Sequence, residues 1–379
     1  MRSRRLLPRG SGRPFAILAL ATPLLAGCAA ERPLTDRIDD ATFWRMVSEF
    51  SEPGGYFHSD NFVSNEAEFQ YVIPSLRARL GTGGAYVGVG PDQNFTYLVA
   101  FRPQIAFIVD IRRQNMLQHL MYKALIELSA DRAEFLSRLF ARRIPSELDS
   151  LSSAEALFHA IQLATPDTML YRRAFVDIAE HLRVTHGFAL TDEDVQTIEY
   201  VYGAFFAAGP DLTYSYGQGG FAYAIRGMPT YAYLQLESDE EGTRHGYLAS
   251  EANYRTLKDL QSRNLIVPLV GNFAGEKTLR TVGRYLSEHG QTVKILYTSN
   301  VEQYLFRQGS DWSRFYSNVA TLPISSASTF IRSVPANNVV YPRNPNSRSA
   351  QFVSPIGELV TAFRNGRLNS YYDVIEMSR

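Results

Sequence analysis

The chain has 379 residues, 45% of them hydrophobic, and its 38 basic side chains balance its 38 acidic ones. The length allows one large globular domain or two smaller ones, and the neutral balance excludes the basic surplus of nucleic-acid binders. We therefore expect no nucleic-acid partner. A single cysteine, Cys28, excludes a disulfide framework and a cysteine-based metal site.

Residues 1–27 have the layout of a secretory signal peptide, with five arginines before the apolar run PFAILALATPLLAG. The run is short for a transmembrane helix. It ends in Leu-Ala-Gly before Cys28, which resembles the lipobox of bacterial lipoproteins. The resemblance implies cleavage before Cys28, a lipid anchor on that cysteine, and attachment to a bacterial envelope membrane, facing the periplasm or the exterior. A Ser-Arg-Arg stretch also resembles a twin-arginine signal, so both export routes stay open.

After the signal we expect a tether over residues 28–40 and one folded domain over 41–379. The domain is predicted to begin with a helix over 41–50 and, after a loop, a helix that starts near Asn65. Further helices are predicted over 92–101, 115–143, 152–164, 168–184, 192–208, 275–289, 301–307 and 354–366. Apolar runs predict strands over 84–90, 104–111, 264–272, 292–300 and 328–334.

The alternation of strands and helices predicts an α/β fold with a Rossmann-like, mostly parallel sheet. Continuous apolar runs such as QIAFIVDI are typical of parallel strands that are covered on both faces. Between about 145 and 250 the pattern changes, first to helices and then to a Tyr/Gly-rich stretch. We expect this part to be a helical insertion or a cap on one side of the sheet.

The turn after the first strand has the pattern Gly88-x-Gly90-x-x-Gln93 and opens a helix, and Asp110 ends the next strand. This is the layout of the dinucleotide-binding fingerprint, with Gln93 in place of the third glycine. The glycines let the backbone turn tightly and let a ligand approach. Asp110 would accept hydrogen bonds from two ribose hydroxyls. The alternative is a glycine-rich turn that binds nothing.

Asp92 bears on the charge of the ligand, because it lies in the first turn of the helix beside free N–H groups. An acid at that position competes with a pyrophosphate for the positive end of the helix. This favours a ligand with a cationic or neutral centre, and S-adenosylmethionine is such a ligand.

At this point the chain resembles the class I S-adenosylmethionine-dependent methyltransferases, well over residues 84–128 and loosely over 264–306. In that family the first strand ends in a Gly-x-Gly turn and the second ends in an acid that holds the ribose. The resemblance implies S-adenosylmethionine as cofactor, Gly88 and Gly90 as the glycine turn, and Asp110 as the ribose ligand.

Two positions depart from that family. Tyr86 stands before the first glycine, where an acid is usual. Asn272 ends a later strand, where many members have an Asp or begin an Asn-Pro-Pro-Tyr motif, and here Phe273 follows it. Asn272 nevertheless remains a candidate contact to the cofactor or to a methyl acceptor.

Two further stretches carry polar candidates. In SDNFVSNE, Asn65 and Glu66 could reach the amino-acid end or a hydroxyl of the ligand, and helix capping or local turns explain them equally well. Ser299 and Asn300 lie at the carboxyl end of a predicted strand, where α/β sheets bind ligands. For these two residues we favour capping of the next helix.

The seven histidines predict no metal site. None of them forms a His-x3-His pair, and His181 and His186 are five residues apart, so we expect them not to share a helix face. Gly-x-Ser-x-Gly and Walker A motifs are absent as well, so no hydrolase or phosphotransferase signature is present.

The Tyr/Gly-rich segment 213–233 is the second candidate surface. Its aromatic residues predict either a hairpin with aromatic packing or an aromatic wall for a sugar, a peptide or a base. In the second interpretation Gln218 and Arg226 would add polar contacts. The aromatic residues are Tyr214, Tyr216, Phe221, Tyr223, Tyr231 and Tyr233.

The leading functional hypothesis is an S-adenosylmethionine-binding, methyltransferase-like lipoprotein of unknown acceptor. Glu66, Tyr216 and Asn272 are candidates for contacting that acceptor. The alternative is a non-catalytic envelope lipoprotein that keeps the Rossmann-like fold and binds a protein or glycan partner. The compartment favours the alternative, because S-adenosylmethionine has no obvious supply outside the cytoplasm.

Overall fold

The computed structural model of the protein describes residues 34–215, 228–335 and 349–378. In these ranges six strands form one sheet: β1 (Ala85–Gly88), β2 (Ile105–Asp110), β3 (Ile266–Val270), β4 (Val293–Ser299), β5 (Thr329–Pro335) and β6 (Ser349–Pro355). The helices of the first half are α1 (Asp40–Phe50), α2 (Ile73–Leu80), α3 (Gln93–Phe101), α4 (Arg113–Leu128), α5 (Arg132–Phe140), α6 (Ala154–Leu163), α7 (Thr168–Glu180) and α8 (Asp192–Ala208). Those of the second half are α9 (Tyr231–Leu236), α10 (Glu251–Ser262), α11 (Thr278–Glu288), α12 (Val301–Arg307), α13 (Asp311–Val319), α14 (Ile356–Arg364) and α15 (Tyr371–Glu376).

The strands lie in the order β3-β2-β1-β4-β5-β6. All neighbouring pairs are parallel except β5 and β6, which are antiparallel. This confirms the predicted α/β fold with a Rossmann-like, mostly parallel sheet. From β1 the chain moves outward through β2 to β3, and it then crosses to the other side of β1 to form β4. The carboxyl ends of β1 and β4 therefore flank the crevice in which open α/β sheets bind ligands.

Burial explains the continuous apolar runs of the sequence. Every residue of β1, β2 and β3 is buried, since helices leave neither face of this part of the sheet to solvent. Phe107 of β2 packs against Phe50 at the end of α1 and Tyr285 of α11, with ring centroids 6.4 and 5.9 Å apart. Phe95 of α3 meets Tyr122 of α4 edge to face at 5.4 Å. The Phe107 contacts hold α1 and α11 on the sheet, and the Phe95–Tyr122 contact joins α3 to α4.

Two of the predicted helix boundaries are wrong. The helix predicted to start near Asn65 is a loop there; a 3-10 turn begins at Phe69, and α2 begins at Ile73. The helix predicted over 115–143 is two helices, α4 and α5. Asp131 separates them, because its carboxylate accepts a hydrogen bond from the Glu134 N–H at 2.9 Å and starts α5.

A π-helical turn, His181–Thr185, continues α7. The expectation that His181 and His186 do not share a helix face is wrong for this reason. A π-helix pairs residue i with residue i+5, and the His186 N–H donates to the His181 carbonyl at 3.0 Å. Residues five apart thus lie one above the other, and the two imidazole centroids are 4.7 Å apart.

Several sequence predictions fall outside the described residues. They concern the signal segment with Cys28, and Tyr216, Gln218, Phe221, Tyr223 and Arg226 of the Tyr/Gly-rich segment. The described end of that segment is the helix α9, so a hairpin strand is wrong there. Tyr231 is buried, while Tyr233 is 53% exposed. Within the described ranges, no helix combines the length and the apolar character that a membrane span requires.

Candidate functional site

A cavity of about 150 Å³ lies at the carboxyl end of the parallel strands. The ends of β1, β2, β3 and β4 form its floor, and the loop over residues 56–66 and α12 close it. Aromatic side chains make up much of the wall: Tyr56, Phe57, Tyr214, Phe273, Tyr297 and Tyr304. Five of the predicted site residues line it as well: Asn65, Glu66, Gly90, Asp110 and Asn272. The fold therefore brings the glycine turn, the strand-end acid and the SDNFVSNE loop to one place.

Glu66 is the buried acid of this cavity. Its Oε2 accepts hydrogen bonds from Tyr297 Oη at 2.9 Å, Gln93 Nε2 at 3.1 Å and Gln351 Nε2 at 3.2 Å. Its Oε1 accepts from Ser299 Oγ. Burial raises the pKa of the Glu66 carboxyl, and the four donors offset part of that rise.

All four of these hydrogen-bond donors are neutral side chains, and none of them is a cation that could pair with the buried carboxylate of Glu66. The amide oxygens of Gln93 and Gln351 have no partner in the described part of the chain. A ligand with a positively charged or N–H-bearing group would supply what this cluster lacks. A phosphate group beside Glu66 would instead be repelled.

Gly88 and Gly90 are glycines for different reasons. A Cβ on Gly88 would collide with Asn94 Oδ1 and the Tyr86 ring, so internal packing, and not a ligand, excludes a side chain there. Gly90 has φ +82°, which only glycine adopts readily, and open space lies where its Cβ would be. Gly90 lines the cavity, whereas Gly88 lies behind the turn.

Asn94 stabilises the glycine turn, although the sequence motif does not include this residue. Its Nδ2 donates to the carbonyls of Val89 at 2.9 Å and Pro91 at 2.7 Å. His119 Nε2 lies 2.8 Å from the Gly90 carbonyl; burial lowers the pKa of His119 to about 4, so the neutral ring donates its N–H. These contacts pre-form the turn without a ligand.

Asp110 lines the cavity but is already paired. Its Oδ1 accepts from the Arg112 N–H at 2.9 Å and from Arg112 Nε at 3.1 Å, and its Oδ2 accepts from Nη2 at 3.0 Å. Arg112 also donates through Nη1 to the Asp60 carbonyl. A carboxylate offers about four acceptor sites. Asp110 therefore has room for one ligand hydroxyl through Oδ2, and not for the two that the sequence predicted.

Asp92 and Gln93 lie at the start of α3, behind the cavity wall, and neither lines the cavity. The Asp92 side chain does not cap the helix. Its Oδ2 accepts from Tyr247 Oη at 2.8 Å and Gln235 Nε2 at 2.9 Å. The expectation that Asp92 competes with a pyrophosphate for the N–H groups of the helix end is therefore wrong, because its side chain faces Tyr247 and Gln235 instead. Glu66, which accepts a hydrogen bond from Gln93, is instead the acid that can select for the charge of a ligand.

The buried position of Asp92 predicts a pH dependence of stability. Burial raises its pKa from 3.8 to about 7. Between these values the unfolded chain ionises while the folded chain keeps its proton, so the free energy of unfolding falls as pH rises and levels off above about pH 7. At about 1.4 kcal/mol per pH unit the loss reaches up to about 4 kcal/mol.

We expect Asp92→Asn to remove this fall and to be more stable than the wild type at pH 8. Urea unfolding of both chains between pH 4 and pH 8 measures it. A variant whose stability parallels that of the wild type across this range would show that Asp92 ionises normally.

Asn272 lines the cavity, but its side chain serves the local turn. Its Oδ1 accepts from the Ala274 N–H at 2.9 Å. The adjacent N-terminus of α11 is occupied by Glu52, whose Oε1 accepts from the N–H groups of Lys277 at 2.7 Å and Thr278 at 3.0 Å. An acid of the chain itself, and not a ligand, satisfies this helix end.

Ser299 does not cap a helix as we favoured. Asn300 holds the N-cap position of α12 without a side-chain cap bond, and Ser299 turns to Glu66 instead. Ser299 and Asn61 both line the cavity and have positive φ, 52° and 51°. Strained backbone of this kind persists where the surroundings determine it, and it is typical of binding sites.

These features define a Rossmann-like α/β domain with a cavity at its topological switch point. The chain belongs to the family described as Domain of unknown function (DUF7790), whose sequence profile matches residues 61–186 and 214–363. The match takes in the Glu66 loop, the glycine turn and all six strands; the unmatched stretch 187–213 contains α8. Among curated proteins no match was found.

Proposed function

We propose that the cavity binds S-adenosylmethionine or a closely related adenosyl compound. The observation that carries this proposal is the buried carboxylate of Glu66, which pairs with no cation in the described part of the chain, in a cavity that also contains the glycine turn and Asp110. An anion at this point favours a ligand with an ammonium or sulfonium centre over a phosphorylated nucleotide. The aromatic wall suits a flat adenine ring.

The residues present fit such a ligand. Gly90 leaves open space where a side chain would stand, Asp110 Oδ2 can accept one ribose hydroxyl, and Glu66 Oε1, which accepts only from Ser299, can accept one N–H bond from an amino group. When bound, S-adenosylmethionine supplies an electrophilic methyl group. The chain's part in a transfer is to orient the ligand and to exclude water from it.

We further propose that the chain is an envelope lipoprotein with a lipid on Cys28, on the strength of its signal-like segment and lipobox. The second candidate function is that of a non-catalytic envelope protein with a protein or glycan partner. Arg112 favours it, because this residue already takes three of the acceptor positions of Asp110.

Calorimetric titration of the purified full chain with S-adenosylmethionine and S-adenosylhomocysteine tests the proposal. We expect one molecule per chain, with a dissociation constant near 1–100 μM, and about tenfold weaker binding by Asp110→Asn. This variant keeps an acceptor for Arg112 and loses the charge. Asp259→Asn, in an exposed ion pair with Arg263, is the matched control and should bind as the wild type does.

A folded wild-type chain that shows no saturable heat with either compound contradicts the proposal and leaves the partner-binding function. If the wild type and Asp110→Asn bind the ligand with equal affinity, Asp110 does not contact the ligand.

A further inference from the structure

A second cluster of side chains lies outside the cavity, where α4 meets the π-helical turn. Nε2 of His181 and Nε2 of His186 both contact Oε2 of Glu127, at 2.8 and 2.7 Å. The ligand atoms that these three residues offer lie within 4.8 Å of one another. Two imidazole nitrogens and one carboxylate oxygen facing a common point form a known ligand set for zinc with three protein ligands.

Neighbouring groups hold this cluster in place. Nδ1 of His186 lies 2.9 Å from Oδ1 of Asp40, which also accepts from Asn264 Nδ2 at 2.8 Å. The His186 ring stacks on Phe188, with centroids 4.9 Å apart. A carboxylate on the far nitrogen of a histidine fixes its tautomer and leaves Nε2 for a metal, as in many zinc sites.

We propose that Glu127, His181 and His186 form a binding site for a divalent transition metal of the Zn²⁺ type. The three side chains are 9–16% exposed, so an ion can reach them from solvent. A tetrahedral zinc ion with bonds of about 2.0–2.1 Å holds its ligand atoms about 3.3 Å apart. Small rotations of the two rings away from Oε2 admit it.

Lys123 forms an ion pair with Glu127 beside this cluster. Its Nζ lies 2.7 Å from Oε1 of Glu127 and 2.6 Å from the Gln261 carbonyl. It binds the oxygen that faces away from the histidines, so Oε2 stays available to a metal as a single ligand atom. The Asp40 carboxylate compensates part of the added positive charge. Lys123 thus orients Glu127, as outer hydrogen bonds do for ligating carboxylates.

Titration of the untagged full chain with Zn²⁺, in competition with a chromophoric chelator, tests this site. We expect one Zn²⁺ per chain with a dissociation constant of about 1 μM or tighter. His181→Ala and His186→Ala should each weaken binding at least 100-fold, and Asp40→Asn about 10- to 100-fold. His159→Ala, on the exposed face of α6, is the matched control and should bind Zn²⁺ as the wild type does.

Zn²⁺ should also raise the unfolding temperature of the wild type and of His159→Ala, but not that of His181→Ala. Co²⁺ bound to the wild type should give the visible absorption of a tetrahedral site, a readout that needs no variant. The proposal is overturned if the wild type takes up no stoichiometric Zn²⁺, or if the two histidine variants bind it as tightly as the wild type does. A Co²⁺ spectrum identical to that of the hydrated ion would also overturn the proposal.

Discussion

Glu66→Gln is expected to bind S-adenosylmethionine about 10- to 100-fold more weakly than the wild type and at the same time to fold more stably at neutral pH. The affinity falls because a charge-assisted hydrogen bond from the ligand, worth about 1.5–3 kcal/mol, becomes a weaker neutral one, and because the ammonium group of the ligand loses its attraction to the carboxylate. The loss should appear with S-adenosylmethionine and S-adenosylhomocysteine but not with adenosine, which has no amino-acid part.

The stability gain follows from the burial of Glu66. Its pKa is raised above 4.5 in the folded state, so its contribution to folding is most favourable in acid and is lost as pH rises through the folded pKa. A neutral amide removes that loss. Gln93 and Gln351 can rotate to offer the amide oxygens that now lack partners, so the new side chain keeps its hydrogen bonds. We expect this gain at pH 7.5, and none near pH 4.

Calorimetry and urea unfolding measure the two effects on one preparation. Glu49→Gln, an exposed acid of α1, is the matched control and should change neither quantity. A Glu66→Gln chain that binds all three compounds like the wild type shows that Glu66 lies outside the ligand site. A chain that is destabilised at pH 7.5 shows that the carboxylate supports the fold rather than a ligand.

Arg332→Met is expected to lower the free energy of unfolding by about 3–5 kcal/mol. Arg332 is fully buried, and its Nε donates to Glu302 Oε2 at 2.7 Å and its Nη2 to Oε1 at 3.3 Å. Glu302 is 1% exposed and also accepts from Tyr316 Oη. Removing the guanidinium leaves a buried carboxylate without its cation beneath β5, and that desolvated charge carries most of the cost.

The double variant Glu302→Gln with Arg332→Met should recover at least half of the loss, because the amide still accepts from Tyr316 and no charge is left unpaired. Arg263→Met removes an exposed ion pair with Asp259 and should cost less than about 1 kcal/mol. Chemical unfolding of the wild type and of these three variants measures the changes in the free energy of unfolding. If the double variant is no more stable than Arg332→Met alone, the buried charge is not the cause.

The α/β fold and the glycine turn could both be predicted from local sequence patterns. The apolar runs of β1 to β4 are continuous because these strands are buried, and a buried strand needs no polar alternation. The strand β6 was missed because its seven residues mix polar and apolar side chains in an antiparallel edge position. Gln351 lies on that strand, so its contact with Glu66 left no sequence signal.

The site was only partly predictable, because its hydrogen bonds join distant segments. Asp92 faces Tyr247 and Gln235, which lie more than 140 residues away, and nothing near Asp92 in the sequence indicates this. Arg112 stands two residues after Asp110, and an adjacent Arg is the one local signal that could have shown the acid to be paired. The π-helical turn at His181 likewise depends on packing that a spacing rule does not include.

Hydrogen exchange of the full chain with and without saturating S-adenosylmethionine tests most directly whether the cavity at the switch point is the ligand site. We predict slower exchange in residues 56–66, in the glycine turn 88–93 and in 297–308, with no change in α14, which does not line the cavity. Unchanged exchange in all three segments at a concentration that saturates the calorimetric signal would contradict it.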